Sequence, residues 1–317
     1  MPRLAKRLLQ AAAMLALVSA TAAQAQPTPT APAAAAPSTR LFADSQLVVR
    51  DRISVEVTGK GPDLIFVPGL ASSRETWRAT AERLRGHYRL HLVQVAGFAG
   101  EPARANGSGE VVIPTAEAID AYVVAQKLSP AVYVGHSLGG TMGLWLAEHH
   151  GDHFRKMLIV DAWPAYARIM TQGRPVTPDQ ARAMAEQMRA AAAAPQTPEG
   201  TKMMARQYAF FTTDAGRQQK IMETSLASSR PVVAQALYDD IVLDLSDGLP
   251  GVKVPITFVY PDNVPAGMPA GMADQVYQGL YATLPGKTLK PVAGSLHFVM
   301  WDQPEAFAQA LDEFLKS

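Results

Sequence analysis

Residues 131–145 read Ala131-Val-Tyr-Val-Gly-His-Ser-Leu-Gly-Gly-Thr-Met-Gly-Leu-Trp145, and this stretch decides the fold. Ala131 to Gly135 is a short apolar run of the kind that forms a strand buried on both faces. An apolar helix begins at Leu138, so the turn between the two elements has to be very tight. Gly135 and Gly139 flank Ser137 because a Cβ at either position would collide with the neighbouring element or block the strained backbone of the serine. The hydroxyl of Ser137 is thereby held at a strand tip, before a helix N-terminus whose free amides favour negative charge. Such a place suits a nucleophile; the alternative reading is a serine that only caps the helix starting at Leu138.

Working outward, strands and helices alternate. Leu47 to Arg50 and Ile53 to Val57 flank a polar break at Asp51-Arg52, as in an antiparallel edge hairpin. Leu64 to Val67 and Leu90 to Val95 are apolar runs expected as buried strands. Between them Ser72 and Glu75 fit a capping box that opens a helix through Leu84 and Arg85. A helix is expected over 115–128, a strand over 157–160, and then the pattern stops. From Trp163 to about Gly248 only helices are expected: 178–194 after a Thr177 cap, 201–211, 215–228 and 231–240. The alternation resumes with a strand at 254–260, a helix over 273–284, a strand at 288–292 and a helix over 304–315. The spacing therefore predicts an α/β fold with a mostly parallel eight-stranded sheet, helices on both faces, and a helical cap inserted at about 163–248. The cap would cover the carboxyl edge of the sheet, where ligands bind in open α/β folds.

The rest of the chain bounds the function. Residues 1–25 have the form of a secretory leader: Arg3, Lys6 and Arg7, an apolar run from Leu8 to Val18, and the small-x-small site Ala23-Gln24-Ala25. A periplasmic or secreted product is the expectation, followed by a Pro/Ala-rich linker over 26–39. No run is long and apolar enough to span a bilayer. Of 317 residues none is cysteine, which excludes disulfides and thiolate chemistry. Without the three leader cations the formal charge falls from +1 to −2, and no basic cluster points to nucleic acid. No cofactor and no metal are expected, and the oligomeric state is not readable.

A serine nucleophile needs a base and a group that orients the base. His136 is adjacent to Ser137 on an extended segment and projects to the other face. His87 and His91 stand at the start of an early strand, and His149, His150 and His153 cluster at a helix end. His297 remains, in the loop after the last strand. Two acids lie at the carboxyl ends of strands: Asp262, past the strand 254–260, and Asp161, past 157–160. Asp262 is preferred because it gives the chain order Ser, Asp, His; Asp161 is the alternative. Asp239, Asp240, Asp244 and Asp247 read as a solvated charged face. Met170, Met184, Met188, Met203, Met204 and Met222, with Tyr208, Phe210 and Phe211, are expected as cap core with a share lining an acyl pocket. Two Pro-Ala-Gly-Met units, 265–268 and 269–272, are expected as an irregular loop near the site mouth.

These residues resemble the α/β-hydrolase superfamily, in particular its capped single-domain members, over nearly all of residues 45–317. The resemblance rests on Gly135-His-Ser-Leu-Gly-Gly140, on Pro68-Gly-Leu70 after the third strand, and on His297-Phe-Val-Met-Trp-Asp-Gln-Pro304. It implies Ser137 as nucleophile, His297 as base, Asp262 as acid, and the amides of Leu70 and Leu138 as oxyanion hole. It departs at Pro68, where many members have His, at Leu296, where Gly often precedes the catalytic His, and at 260–263, which is shorter than the usual acid loop. The loop Gly97-Phe-Ala-Gly100 also lacks the common family sequence. The implied chemistry is acyl transfer to water: hydrolysis of small-molecule carboxylic esters with small or medium apolar acyl groups. An acyltransferase or thioesterase, or a non-catalytic ligand-binding relative, is the alternative.

Overall fold

The computed structural model describes residues 40–171 and 174–317; the expected leader and linker fall outside them. Eight strands form one sheet: β1 (Gln46–Val49), β2 (Ile53–Gly59), β3 (Asp63–Val67), β4 (Arg89–Val95), β5 (Ala131–His136), β6 (Phe154–Val160), β7 (Ile256–Pro261) and β8 (Lys287–Val292). Their order is β1-β2-β4-β3-β5-β6-β7-β8. Only β2 pairs antiparallel with its neighbours, β1 and β4; every other pair is parallel. A two-residue break at Asp51-Arg52 suffices for the hairpin, whereas each parallel step needs a crossover.

The crossovers are helices α1 (Arg78–Leu84), α2 (Val112–Ala125) and α3 (Leu138–His149). Between β6 and β7 lies the helical insertion: α4 (Tyr166–Met170), α5 (Pro178–Ala193), α6 (Pro198–Tyr208), α7 (Ala215–Ala227) and α8 (Arg230–Val242). The α/β alternation then resumes with α9 (Met272–Leu280), a short α10 (Val299–Asp302) after β8, and α11 (Pro304–Lys316).

Alternating residues of the strands face two layers. Ile65 and Val67 belong to the same buried cluster as Ile119, Val123, Met142 and Leu146 from α2 and α3. Leu64 and Phe66 face the other way, onto Trp77, Leu84, Phe307 and Leu311. Both faces of the central strands are thus dry, which is why those strands are continuously apolar in sequence.

Several element starts differ from expectation: α2 and β6 each begin three residues early, at Val112 and Phe154, and two other shifts have a local cause. The box expected at Ser72 is shifted: Ser73 caps the turn by accepting the Glu75 amide, and the segment opens as a 3-10 turn over Arg74–Trp77 before α1. Ala71 takes a left-handed conformation (φ 53°) that lengthens the preceding turn, and the Ser72 hydroxyl donates back to the Leu70 carbonyl at 3.3 Å. Helix α6 begins at Pro198 rather than 201, because Thr197 caps it and proline is preorganised for the first helical position.

The insertion has a small core of its own. Ala181, Ala185 and Met188 of α5 pack on Leu237 and Ile241 of α8. It is also stitched to the sheet edge: the Ser229 amide donates to the Gly97 carbonyl at 2.7 Å, and the Ser228 hydroxyl accepts the Ala99 amide at 2.7 Å.

Candidate active site

Ser137 sits between β5 and α3 with φ 53° and ψ −123°, a backbone conformation that costs about 1–3 kcal/mol and persists only when its surroundings over-determine it. They do so here. The Ser137 amide donates to the Val160 carbonyl at 2.9 Å, and its carbonyl accepts the Gly140 and Thr141 amides at 2.6 and 3.0 Å. A Cβ on Gly135 would lie 2.4 Å from the Gly139 carbonyl oxygen, and one on Gly139 would lie 2.5 Å from that of Val67. Only backbone without side chains fits on either side of this serine. The serine side chain makes no capping bond to α3, so its hydroxyl is not spent on the helix.

His297 follows β8, and its Nδ1–H donates to Asp161 Oδ2 at 2.6 Å. That bond fixes the tautomer, leaving Nε2 with a lone pair. The other Asp161 oxygen accepts the hydroxyl of Tyr277 from α9. Burial pushes the Tyr277 hydroxyl well above its ordinary range, with the Asp161 charge adding to it, so the tyrosine remains a donor. The structure therefore brings Asp161, and not Asp262, to His297. Asp262 spends its carboxylate on the Val264 amide at 3.1 Å, closing a local turn, and its own amide on the Val292 carbonyl at 3.2 Å. The physical reason is the path of the chain. β7 stays in register with β8 through Pro261, and the left-handed Asn263 (φ 55°) then curls the chain over Asp262. Asp161, one residue beyond the end of β6 and itself at φ 43°, projects from the sheet edge.

His136 is buried and does not act on the serine. Its Nε2–H donates to the His297 carbonyl at 3.1 Å, and the two rings are 4.5 Å apart. Burial, with the nearby His297 adding, holds the His136 imidazole well below the ordinary histidine range, so it stays neutral. The residue before the serine thus anchors the backbone of His297. Leu138 supplies the first amide of α3, which has no intrahelical acceptor. Leu70 follows β3, and its loop is braced by Gln94 of β4, which accepts the Arg74 amide at 3.1 Å and donates to the Ser72 and Phe98 carbonyls at 3.3 and 3.2 Å. This brace supports the loop from β4.

Several residues take roles at the site that the local sequence does not assign to them. Tyr277 was only one position of an amphipathic helix. Phe211 lies with its ring 5.2 Å from that of His297, and its carbonyl accepts the Phe298 amide at 2.9 Å. Asp302 clamps the histidine loop to the insertion. One of its oxygens accepts the Thr212 hydroxyl at 2.6 Å and the Thr213 amide at 2.9 Å, and the other accepts the Leu296 amide at 2.8 Å. Leu296, where a glycine is common, is held by this bond.

His153 bonds Asp120 at 2.7 Å, with His150 3.6 Å from the same carboxylate, so Asp120 accounts for that cluster. His149 stacks on Trp145, and His91 bonds Tyr122 and Asp63. The acidic run is solvated only in part: Asp244 and Asp247 are exposed, whereas Asp239 and Asp240 are not. Asp239 is buried and accepts the Val111 and Val112 amides that open α2, and Asp240 lines a cavity, because α8 is packed between α5 and the sheet domain. Met188 and Met222 are core, whereas Met203, Met204, Met268 and Met272 line that cavity. Its volume is about 1060 Å³, and Leu70, Ser137, Leu138, Asp161 and His297 share its wall.

A mostly parallel sheet, a strained serine between strand and helix, and a histidine–aspartate pair opening on one cavity define a hydrolase of the α/β type. Residues 62–212 match the model of the alpha/beta hydrolase fold family, and the chain belongs to the α/β-hydrolase superfamily. Among curated proteins, the pimeloyl-(acyl-carrier protein) methyl ester esterase of Vibrio cholerae is 28% identical over 265 residues, 82% of this chain and 96% of that protein. That of Aeromonas salmonicida is 35% identical over 129 residues, 38% of this chain and 49% of its own. Among solved structures, an esterase from Exiguobacterium antarcticum matches with a TM-score of 0.69 at 21% identity, covering 84% of this chain and 96% of its own. Among the described residues no helix is long and apolar enough to cross a membrane.

Proposed function

We propose that this enzyme hydrolyses carboxylic esters through an acyl-enzyme on Ser137. The observation that carries the reading is the His297–Asp161 bond of 2.6 Å on the same cavity wall as the strained serine. Ser137 Oγ attacks the ester carbonyl carbon while His297 Nε2 takes its proton. The resulting oxyanion faces the amides of Leu138 and Leu70, donors of a type that each contribute a few kcal/mol to the transition state. Collapse breaks the bond to the alcohol, which leaves with the proton from Nε2. Water then gives a proton to Nε2 and attacks the acyl carbon, and the acid departs as Ser137 recovers its hydrogen. Asp161 stabilises the imidazolium as it forms; Tyr277 donates to it and keeps it in place.

The esterase names of the relatives support an ester as substrate. The cavity is at the upper end of the range for small-molecule pockets, and its methionine and aromatic lining suits an apolar acyl chain of medium length. A series of p-nitrophenyl esters of increasing acyl length, with product analysis in the presence of an added alcohol or thiol, tests this. Free acid as product and a maximum among chains that stay monomeric in water are expected. A maximum at long, aggregated lipids would overturn the size assignment, and acyl transfer to the acceptor in preference to water would make the enzyme a transferase.

A further inference from the structure

Asp240, on α8, lines the cavity together with Thr141, Tyr166 and Leu237. Thr141 is tied to the candidate nucleophile, since its amide donates to the Ser137 carbonyl at 3.0 Å. Its side chain neighbours the Asp240 carboxyl and opposes the effect of burial on it. Among the described residues Oδ1 of Asp240 is buried with no hydrogen-bond partner. The adjacent Asp239 differs: one oxygen takes two backbone amides of α2 and the other takes Gln235 Nε2. One acid of the pair is used by the fold and the other is not. A buried carboxyl oxygen without a partner is costly, and its persistence beside a cavity calls for a ligand that supplies the missing donor.

We propose that Asp240 is a specificity-determining residue: its carboxyl accepts a hydrogen bond from a hydroxyl or amide N–H of the substrate. The enzyme then prefers esters bearing such a donor over the same esters without it. This rests on the ester-hydrolase reading above and narrows its substrate class. A turn of the carboxyl about χ2 brings either oxygen toward the cavity that Asp240 lines. Burial pushes this carboxyl up to about 7, with the neighbouring Thr141 hydroxyl opposing and the Asp239 charge adding. Charged groups on the elements around α8 are already committed. Arg168 of α4 pairs with Asp244, Arg189 of α5 with Glu186 and Gln235, and Arg104 with Glu101. Tyr166 is pushed too high to ionise, by burial and then by the Asp240 charge.

The test compares aliphatic methyl esters, unsubstituted and hydroxylated at successive acyl positions, together with the matching hydroxyalkyl esters. The readout is the ratio of kcat/KM between each substituted ester and its parent, in which pH effects common to both esters cancel. In the wild type one position should be favoured about tenfold to a hundredfold, the scale of a hydrogen bond to a charged group. That ratio should rise with pH through about 7 as the carboxyl ionises and becomes the stronger acceptor. Asp240→Leu should bring it near one, and Asp240→Asn should keep part of it without the pH dependence. Hydrolysis of all esters with ratios near one in the wild type, or a preference that survives in Asp240→Leu, overturns the inference and leaves the esterase reading standing. Hydrolysis of none removes both.

Stability supplies a second readout. The folded carboxyl titrates near 7 against 3.8 unfolded, so the unfolded chain gives up the proton first. Stability is therefore lost as pH rises from about 4 to about 7, and the full cost is present above that window. Asp240→Leu removes the cost, so its melting temperature relative to wild type should be higher at pH 8 than at pH 4. A larger loss at pH 8 would mean that the fold uses the ionised carboxylate, and would count against the proposal.

Discussion

Ser137→Ala is expected to lower kcat/KM for a soluble aryl ester by about 10⁵-fold or more, the scale seen when a serine nucleophile is removed from a complete constellation. It should do so without a change in melting temperature or circular dichroism. The second half of the expectation separates two roles. A serine that merely capped α3 would cost about 1 kcal/mol on conversion to alanine and leave catalysis alone. The Ser137 side chain makes no cap bond, and the conformation at φ 53° is held by backbone bonds to Val160, Gly140 and Thr141 that alanine keeps. Steady-state kinetics and calorimetry on the same preparation decide it. Retained turnover refutes the nucleophile assignment.

The second large effect lies at the acid. Asp161→Asn is expected to reduce kcat about 10³- to 10⁴-fold, because an amide can donate to His297 Nδ1 and so drive the ring proton onto Nε2, where it blocks acceptance from the serine. Asp262→Asn should stay within about twofold of wild type, since the amide oxygen of Asn can accept the same Val264 amide and an exposed turn substitution of this kind is nearly neutral. Parallel kinetics on the two variants, with the fold verified by calorimetry, settle which acid serves. A large loss at 262 with little at 161 would reverse the assignment.

Much of this architecture was legible because it follows from periodicity and sterics. The dry central strands announce themselves as unbroken apolar runs, and the elbow by two glycines that backbone alone leaves room for. The helical insertion showed as a stretch with no strand period, and Thr177 with Gln180 forms the capping box that opens α5. The triad acid was harder, since both candidates end a strand at the same edge of the sheet. Choosing between them depends on the left-handed Asn263 and on the tyrosine that α9 lays against Asp161, and neither leaves a mark in local sequence. Asp239 and Asp240 depart from the expected solvated face for a related reason, while Asp244 and Asp247 keep to it. Four carboxylates in one stretch look solvated until packing shows that α2 uses one and the cavity borders another. Asp302, clamping Leu296 to Thr212 and Thr213, is likewise a product of tertiary contact alone.

The central claim is that Ser137 is a hydroxyl made nucleophilic by His297 and Asp161. Treating the active enzyme with a fluorophosphonate and locating the adduct by peptide mass spectrometry tests it most directly. One adduct per chain is expected, on the peptide containing Ser137, appearing in step with loss of esterase activity and strongly slowed in Asp161→Asn. An enzyme that hydrolyses esters yet carries no adduct at Ser137, or that loses activity through an adduct elsewhere, would contradict it.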